Sequence, residues 1–271
     1  MTIAVLLIHG LGGTPTEMKY VGNKLKQYGY HIEYCTLAGH CQTIEALQKS
    51  TYPQWIESAC TQYAALRDRF DTVHVAGLSA GGLLALQVAI RHPNRSPASV
   101  ILYSPVLKLD GWAMPPYMKW VSYMRPWMNF YDFNVRERHP YGIKSDRIRQ
   151  FVTSHMSDSG SDNAGSFYTP LSTMLQFNDL VRATKKRMKD VKCPVITFHS
   201  NIDDVASIDN SFYILNHVSG IGFHHTLLDS YHLIVVDQQR DYVADTTAAE
   251  IKRLSRSHLI EVQQQKAVAN L

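Results

Sequence analysis

The sequence predicts an α/β fold in which a mostly parallel sheet is covered by helices on both faces. Short apolar stretches typical of buried strands alternate with longer stretches that have helical periodicity. Because these strands are apolar on both sides, they fit a parallel sheet between two helical layers. After residue 105 a long stretch rich in aromatic residues and methionine interrupts the alternation. We interpret this stretch as a helical cap inserted above the sheet.

Six strands and five helices follow from these patterns. The predicted strands are Ile3–Ile8, His31–Cys35, Thr72–Ala76, Ser99–Tyr103, Pro194–His199 and Phe223–Leu228. The predicted helices are Thr16–Tyr28, Pro53–Arg69, Ala80–His92, Ser207–His217 and Gln238–Ser255. Residues 257–271 have a weak pattern, and we expect a frayed helix or an oligomer contact there.

Length and composition set the domain organisation. The 271 residues, 45% of them hydrophobic, can form one large core with an insertion. We therefore predict a core of residues 1–105 and 189–271 and a cap of residues 106–188. The net charge is only +4 and the basic residues are scattered, which argues against a nucleic-acid surface.

The cysteines and the first residues indicate a cytoplasmic location. The four cysteines form no Cys-x-x-Cys pair and no metal-type spacing with histidine, so we expect reduced thiols. The opening MTIAVLLIHG has neither a basic start nor a cleavage site, and it is too short to span a bilayer. We expect a soluble protein without stable membrane insertion.

The stretch VHVAGLSAGGLLAL places Ser79 between Gly77 and Gly81, where a strand pattern changes to a helix pattern. Glycines on either side let the chain bend sharply without a Cβ clash. The serine would then project from a strained turn at a helix N-terminus, as a nucleophile does. A plain strand–helix turn is the alternative, so the motif requires a base and an acid elsewhere.

The first turn of the chain, HGLGGTP from His9 to Pro15, also joins a strand to a helix. A dinucleotide-binding fingerprint would need glycine or alanine where Pro15 stands, so we disfavour that interpretation. We expect instead that the Leu11 amide binds an oxyanion together with the Ala80 amide.

A catalytic histidine is expected in a loop just after the final strand, and His232 is the best candidate. The acid should follow the preceding strand, where Asp203 and Asp204 compete, with Asp110 as a more distant alternative. The remaining histidines considered lie within strands or before the serine: His9, His40, His74, His224 and His225. The order serine, aspartate, histidine is the one this architecture uses.

These motifs make the chain resemble α/β-hydrolases of the carboxylesterase and monoacylglycerol-lipase type. The matching pieces are LLIHGLGG, the Ala38-Gly39-His40 loop, GLSAGG, HSNIDDVAS and SYHLIVVDQQRDYV. The resemblance implies that Asp203 is the acid, through its Asp-x-Val pattern, and supports His232 through Ser-x-His. The chain departs from the family pattern in two ways. We expect no edge strands before β-strand Ile3–Ile8, which would leave an edge open to a homodimer, and the residue after the serine is Ala80.

We therefore expect a serine esterase acting on apolar acyl esters, without metal or organic cofactor. Hydrolysis of a thioester, an amide or a carbon–carbon bond is the alternative, and a non-catalytic binding protein is the third. Haloalkane dehalogenation would need an aspartate in place of Ser79. One apolar helical face of the cap either packs the cap onto the core or lines an acyl pocket. We expect the pocket, with Trp120, Met124, Trp127 and Met128 as its lining residues.

Overall fold

The protein contains one six-stranded sheet in which every paired strand is parallel. A computed structural model describes residues 2–114, 134–136, 138–154 and 168–269. The strand order is β2-β1-β3-β4-β7-β8. These strands are β1 (Ile3–Ile8), β2 (His31–Cys35), β3 (Thr72–Leu78), β4 (Val100–Tyr103), β7 (Val195–Ser200) and β8 (Gly222–Leu227).

Helices cover both faces of this sheet. They are α1 (Lys19–Gln27), α2 (Ile44–Lys49), α3 (Tyr52–Arg67), α4 (Ala80–Arg91), α6 (Leu171–Arg187), α7 (Asp209–His217) and α8 (Arg240–Ala269). Alternate residues of β3 point to opposite sides: Val75 packs in one apolar core and Ala76 in the other. The first core includes α3, α4 and α6, and the second includes α1 and α8. The predicted fold class is thus confirmed.

The six predicted strands are all present, each within two residues of its expected bounds. Helix α8 begins at Arg240 and extends to Ala269, so most of the weakly patterned tail is helical. The strands β2 and β8 form the two edges of the sheet. The homodimer and the cytoplasmic location stay predictions. No helix in the described part of the chain is both long and apolar enough to span a membrane.

The segment between β4 and β7, residues 104–194, is called the inserted segment below. It contains a separate antiparallel pair, β5 (Asn134–Arg136) and β6 (Tyr168–Pro170), and the helix α5 (Asp146–Ser154). Its last helix, α6, packs through Phe177, Leu180 and Val181 in the first of the two apolar cores, which is called the main core below. The four predicted pocket residues, Trp120, Met124, Trp127 and Met128, lie outside the described residues.

Parallel pairing brings the ends of the central strands together. Ile8 of β1 lies beside Gly77 of β3, and Leu78 of β3 lies beside Tyr103 of β4. The loops after these strands therefore leave the sheet at the same edge. Ligand and catalytic sites of open α/β sheets form at this carboxyl edge.

Candidate active site

Ser79 occupies the one-residue turn between β3 and α4. Its φ of 55° and ψ of −117° lie outside the regions that L-residues ordinarily adopt. A backbone of this kind costs about 1–3 kcal/mol and persists only where its surroundings fix it. Here the Ser79 amide donates to the Tyr103 carbonyl at 2.8 Å, which ties the turn to β4.

Two glycines allow this turn because α4 begins almost against the sheet. A Cβ on Gly77 would lie 2.1 Å from the Gly81 carbonyl oxygen. A Cβ on Gly81 would lie 2.5 Å from the carbonyl oxygen of His9, at the end of β1. Neither backbone contact can be relieved by a side-chain movement, so both positions require glycine.

His232 reaches the serine from the loop after β8. Its Nε2 lies 3.0 Å from Ser79 Oγ, and its Nδ1 lies 2.8 Å from Asp203 Oδ2. Because the Asp203 carboxylate accepts from Nδ1–H, Nε2 carries a lone pair directed at the serine hydroxyl. The structure brings together these three predicted residues, which lie far apart in the sequence.

The aspartates considered as the acid have different partners. Besides His232, Asp203 accepts from the backbone amides of Val205 and Ala206, both at 2.8 Å. The carboxylate of Asp204 accepts from backbone amides instead. Asp110 accepts from the Ser207 amide at 2.9 Å. Of these three aspartates, only Asp203 forms a hydrogen bond with the imidazole of His232.

His199 is a further member of the site that the sequence analysis did not identify. It lies at the end of β7, fully buried, with Nε2 3.2 Å from Asp203 Oδ2 and Nδ1 2.8 Å from Ser211 Oγ. Nε2 is also 3.0 Å from the Ala206 carbonyl oxygen, so it carries the hydrogen and can donate to both acceptors. His199 and His232 therefore both contact the same oxygen of the Asp203 carboxylate.

The electrostatics of the site follow from these contacts. Burial alone would raise the pKa of Asp203, but the charge of His232 and hydrogen bonds from His199 and His232 hold it below its ordinary value. For the imidazole the effects are reversed: burial alone would lower the pKa of His232. Its interaction with Asp203, together with the charges of Asp204 and Glu17, raises it instead. The imidazole is thus prepared to accept a proton.

The loop after β1 lies next to the serine, since a Cβ on Gly10 would be 3.6 Å from Ser79 Cβ. His9 fixes this loop: its Nδ1 donates to the Gly10 carbonyl at 2.8 Å, and its Nε2 accepts from the Leu37 amide at 3.4 Å. Burial and nearby His40 lower the pKa of His9 to about 3, so the ring is neutral. The Gly10 carbonyl and the Leu11 amide share one peptide plane, so the bond from His9 also orients that amide.

Glu17, which the sequence analysis also missed, anchors the other side of this loop. Its Oε2 accepts from the Gly10 amide at 3.0 Å, and the Thr14 amide donates to the same carboxylate. Removal of the carboxyl group from water raises the pKa of Glu17 to about 7. A half-buried carboxyl group beside a glycine loop has no local sequence signature, and no motif indicated it.

Comparison with known proteins decides the family. Residues 2–239 match the family model described as serine aminopeptidase, S33. The chain belongs to this family of α/β-hydrolases. Similar proteins include the thermostable monoacylglycerol lipase of Bacillus sp. (strain H-257), 24% identical over 90% of this chain and 88% of its own. The carboxylesterase of Bacillus subtilis (strain 168) is 22% identical over 89% of this chain and 88% of its own.

Solved structures agree on the fold. A metagenome-derived lipolytic enzyme superposes with a TM-score of 0.79 and 21% identity, over 93% of this chain and 94% of its own. A soluble variant of the Saccharomyces cerevisiae monoglyceride lipase, bound to a substrate analogue, gives a TM-score of 0.77 at 15% identity, covering 93% and 86% of the two chains. The expected resemblance to esterases and monoacylglycerol lipases is thereby confirmed.

Beside the loop after β1 this α/β-hydrolase has a small apolar cluster contributed mainly by the inserted segment. Its buried members are Leu171, Met174 and Leu175, and the partly buried Leu11, Leu109 and Val135 pack against them. A Cβ on Gly12 would lie 3.5 Å from Thr169 Oγ1, so β6 also contacts this loop. In the described ranges, no three His, Cys, Asp or Glu side chains are grouped so that they could hold a metal ion.

We expect Gly77→Ala to destabilise the fold by more than about 3 kcal/mol, since its Cβ would collide with backbone. Gly82→Ala is the matched control within the same motif. Its Cβ would meet only ordinary contacts of 3.4–3.5 Å, and alanine favours a helix over glycine by about 1 kcal/mol. Chemical denaturation of both variants checks this. Equal stabilities would contradict the assigned role of Gly77.

We expect Glu17→Gln to stabilise the protein more at pH 8 than at pH 5. Because the pKa of Glu17 is raised from 4.5 to about 7, the native state binds more protons than the unfolded state between these values. This group therefore makes native stability fall as the pH rises through that window, and glutamine cannot titrate. Melting temperatures of both proteins across pH 5–8 measure the effect; parallel curves would contradict it.

Proposed function

We propose that this protein is a serine hydrolase in which Ser79, His232 and Asp203 cleave esters of apolar acyl groups through an acyl-enzyme. One observation carries the proposal: the unbroken hydrogen-bonded series from Ser79 Oγ to His232 and from His232 to Asp203, at 3.0 and 2.8 Å. Like its relatives, the protein is an α/β-hydrolase that cleaves esters. Our proposal adds the catalytic triad and the class of acyl group.

In the acylation step, Ser79 Oγ attacks the carbonyl carbon of the ester while its proton passes to His232 Nε2. The resulting imidazolium donates from Nδ1 to Asp203, which stays ionised and stabilises the charge. When the tetrahedral intermediate collapses, the carbon–oxygen bond to the alcohol breaks. His232 returns the proton to the leaving alkoxide, and the acyl group remains on Ser79.

The amides of Leu11 and Ala80 are proposed to bind the oxygen that becomes negative in this intermediate. Ala80 is the first residue of α4, where amides have no acceptor within the helix and the helix dipole favours negative charge. His9 and Glu17 hold the peptide units around Gly10, so the Leu11 amide is oriented before substrate arrives.

Deacylation repeats the same proton transfers with water in place of the alcohol. His232 removes a proton from water as the oxygen attacks the acyl carbonyl, then returns it to Ser79 Oγ. The products are a carboxylic acid and the free enzyme. Each step uses groups of this chain and water.

An apolar acyl group is supported by the cluster around Leu11 and by the relatives' names, which include monoacylglycerol lipase and carboxylesterase. We propose that the part of the predicted cap, residues 106–188, that precedes α6 lies over the site and that Trp120, Met124, Trp127 and Met128 extend this apolar surface. Methionine adapts to acyl chains of different shape.

Amide hydrolysis is a second candidate, because the family model is described as a serine aminopeptidase. The triad does not dictate the leaving group. Matched p-nitrophenyl esters and p-nitroanilides of the same acyl group distinguish the two activities. Faster turnover of the anilides would favour the peptidase alternative.

We expect Ser79→Ala to lose almost all turnover, since the equivalent substitution in a serine protease costs about a millionfold in kcat. A fluorophosphonate probe should label the native protein once, at Ser79. Peptide mapping by mass spectrometry identifies the labelled residue. Labelling of another serine, with Ser79→Ala still active, would contradict the triad.

Asp203→Asn is expected to reduce kcat by about 10⁴-fold with the fold retained, because the imidazole loses its orienting carboxylate. Asp204→Asn should cost far less. Steady-state kinetics and circular dichroism of both variants test this ranking. Equal or reversed losses would mean that Asp203 has been wrongly assigned.

We expect Met174→Ala to shift the preferred acyl length while sparing the shortest esters, because Met174 belongs to the apolar cluster around Leu11. Met124→Ala and Met128→Ala are expected to behave in the same way. Leu180→Ala, in the main core, is the control for a loss of packing alone. An ester panel of graded chain length, run beside thermal melting, distinguishes a change in acyl preference from a loss of packing. Equal loss at all lengths in Met174→Ala would contradict a pocket role.

A further inference from the structure

Asp204 is a buried carboxylate that the proposed chemistry does not use. It follows Asp203 directly, yet only 1% of its surface is exposed. A buried carboxylate costs free energy unless its oxygens are hydrogen-bonded. Its partners are therefore a guide to its role.

Both oxygens of the Asp204 carboxylate accept from backbone amides. Oδ1 accepts from the His232 amide at 3.1 Å, and Oδ2 accepts from the Gly142 amide at 3.0 Å. The second bond is reinforced close by, where the Leu233 amide donates to the Gly142 carbonyl at 2.7 Å. The carboxylate thus joins the loop of the histidine to the returning end of the inserted segment.

The backbone of Asp204 contacts the outgoing end of the same segment. The Ala113 amide donates to the Asp204 carbonyl at 3.0 Å, and the Gly111 amide donates to the Val205 carbonyl at 2.9 Å. A Cβ on Gly111 would lie 2.4 Å from the Asp204 carbonyl carbon, so the two backbones are in close contact. Three separate parts of the chain therefore meet at this one residue.

We propose that Asp204 is a positioning residue, which holds the backbone of His232 in register with both ends of the inserted segment. This inference rests on the proposed function of His232 as the base. A carboxylate suits the role because it accepts from two amides at once. Asparagine has one acceptor oxygen, and its NH₂ group would face the second N–H.

Asp237 provides a matched control. It is also fully buried, and its carboxylate accepts from the amides of Lys144, Ser145 and Tyr231 at 2.8–3.0 Å. It therefore anchors the same loop and the same segment through backbone amides. Unlike Asp204, which accepts from the His232 amide, Asp237 accepts from the amide of the preceding residue, Tyr231.

The test compares Asp204→Asn with Asp237→Asn in the full-length protein, using a short-chain p-nitrophenyl ester. Asp204→Asn should lower kcat by about 10- to 100-fold with little change in KM, because small displacements of a catalytic group are costly. Fluorophosphonate labelling of Ser79 should slow in parallel. Asp237→Asn should lower the melting temperature with a smaller loss of kcat from the folded protein.

The pH profile gives a readout that a purely structural role would not change. The charged groups that raise the pKa of His232 are Asp203, Asp204 and Glu17. Removing the charge of Asp204 should move the acid limb of kcat/KM to lower pH, since that limb reports the free imidazole. Asp237→Asn should move the limb less than Asp204→Asn does.

An unshifted acid limb in Asp204→Asn, or a loss of kcat no larger than in Asp237→Asn, would overturn the proposal. If Asp204→Asn does not fold, Asp204→Glu replaces it: the charge stays but the carboxylate is displaced. We then expect a lower kcat with the acid limb retained, and a wild-type kcat would overturn the proposal. Ser79→Ala separates failures, because an active Ser79→Ala enzyme would refute the proposed function itself.

Discussion

The close approach of α4 to the ends of β1 and β3 is the constraint on which the rest of the site depends. Gly77 and Gly81 leave no room for a Cβ against the neighbouring backbone, and this compression places Ser79 at a φ of 55°. The cost of such a backbone, about 1–3 kcal/mol, is offset by α4, which is almost completely buried between the sheet and its neighbouring helices. The half-buried serine is held at the carboxyl ends of the strands because the helix behind it is so tightly packed.

The parallel sheet then determines where partners for Ser79 can come from. Loops after β1, β7 and β8 leave the same edge, and each is held by hydrogen bonds between side chains and backbone amides. Glu17 holds the first loop, Asp203 holds the second, and Asp204 and Asp237 hold the third. A carboxylate that accepts from a backbone amide makes a stronger hydrogen bond than a neutral acceptor does, and these bonds tie down loops that have no secondary structure of their own. The groups of the proposed triad are therefore held in position by the fold itself.

The sequence indicates the parts of this arrangement that have a local signature. Apolar strands and the glycines around Ser79 could be recognised because strand burial and a sharp turn each restrict residue type at fixed spacing. His199, Glu17 and the amide contacts of Asp204 could not, since their partners lie in other loops and depend on tertiary packing. Helix α6 was missed for a related reason: its pattern is that of a helix packed in the core, but it lies in a segment whose aromatic content suggested only a cap.

The charges around the imidazole divide according to where charge would develop in the proposed reaction. Asp203 is kept ionised beside Nδ1, where positive charge would appear on deprotonation of Ser79. Glu17 lies beside the loop that would bind the oxyanion, where a full negative charge would oppose catalysis. Burial raises the pKa of Glu17 to about 7, so near neutral pH a large fraction of it is uncharged. The site thus keeps a full negative charge next to the developing cation and a weakened one next to the developing anion, although both groups are carboxylates.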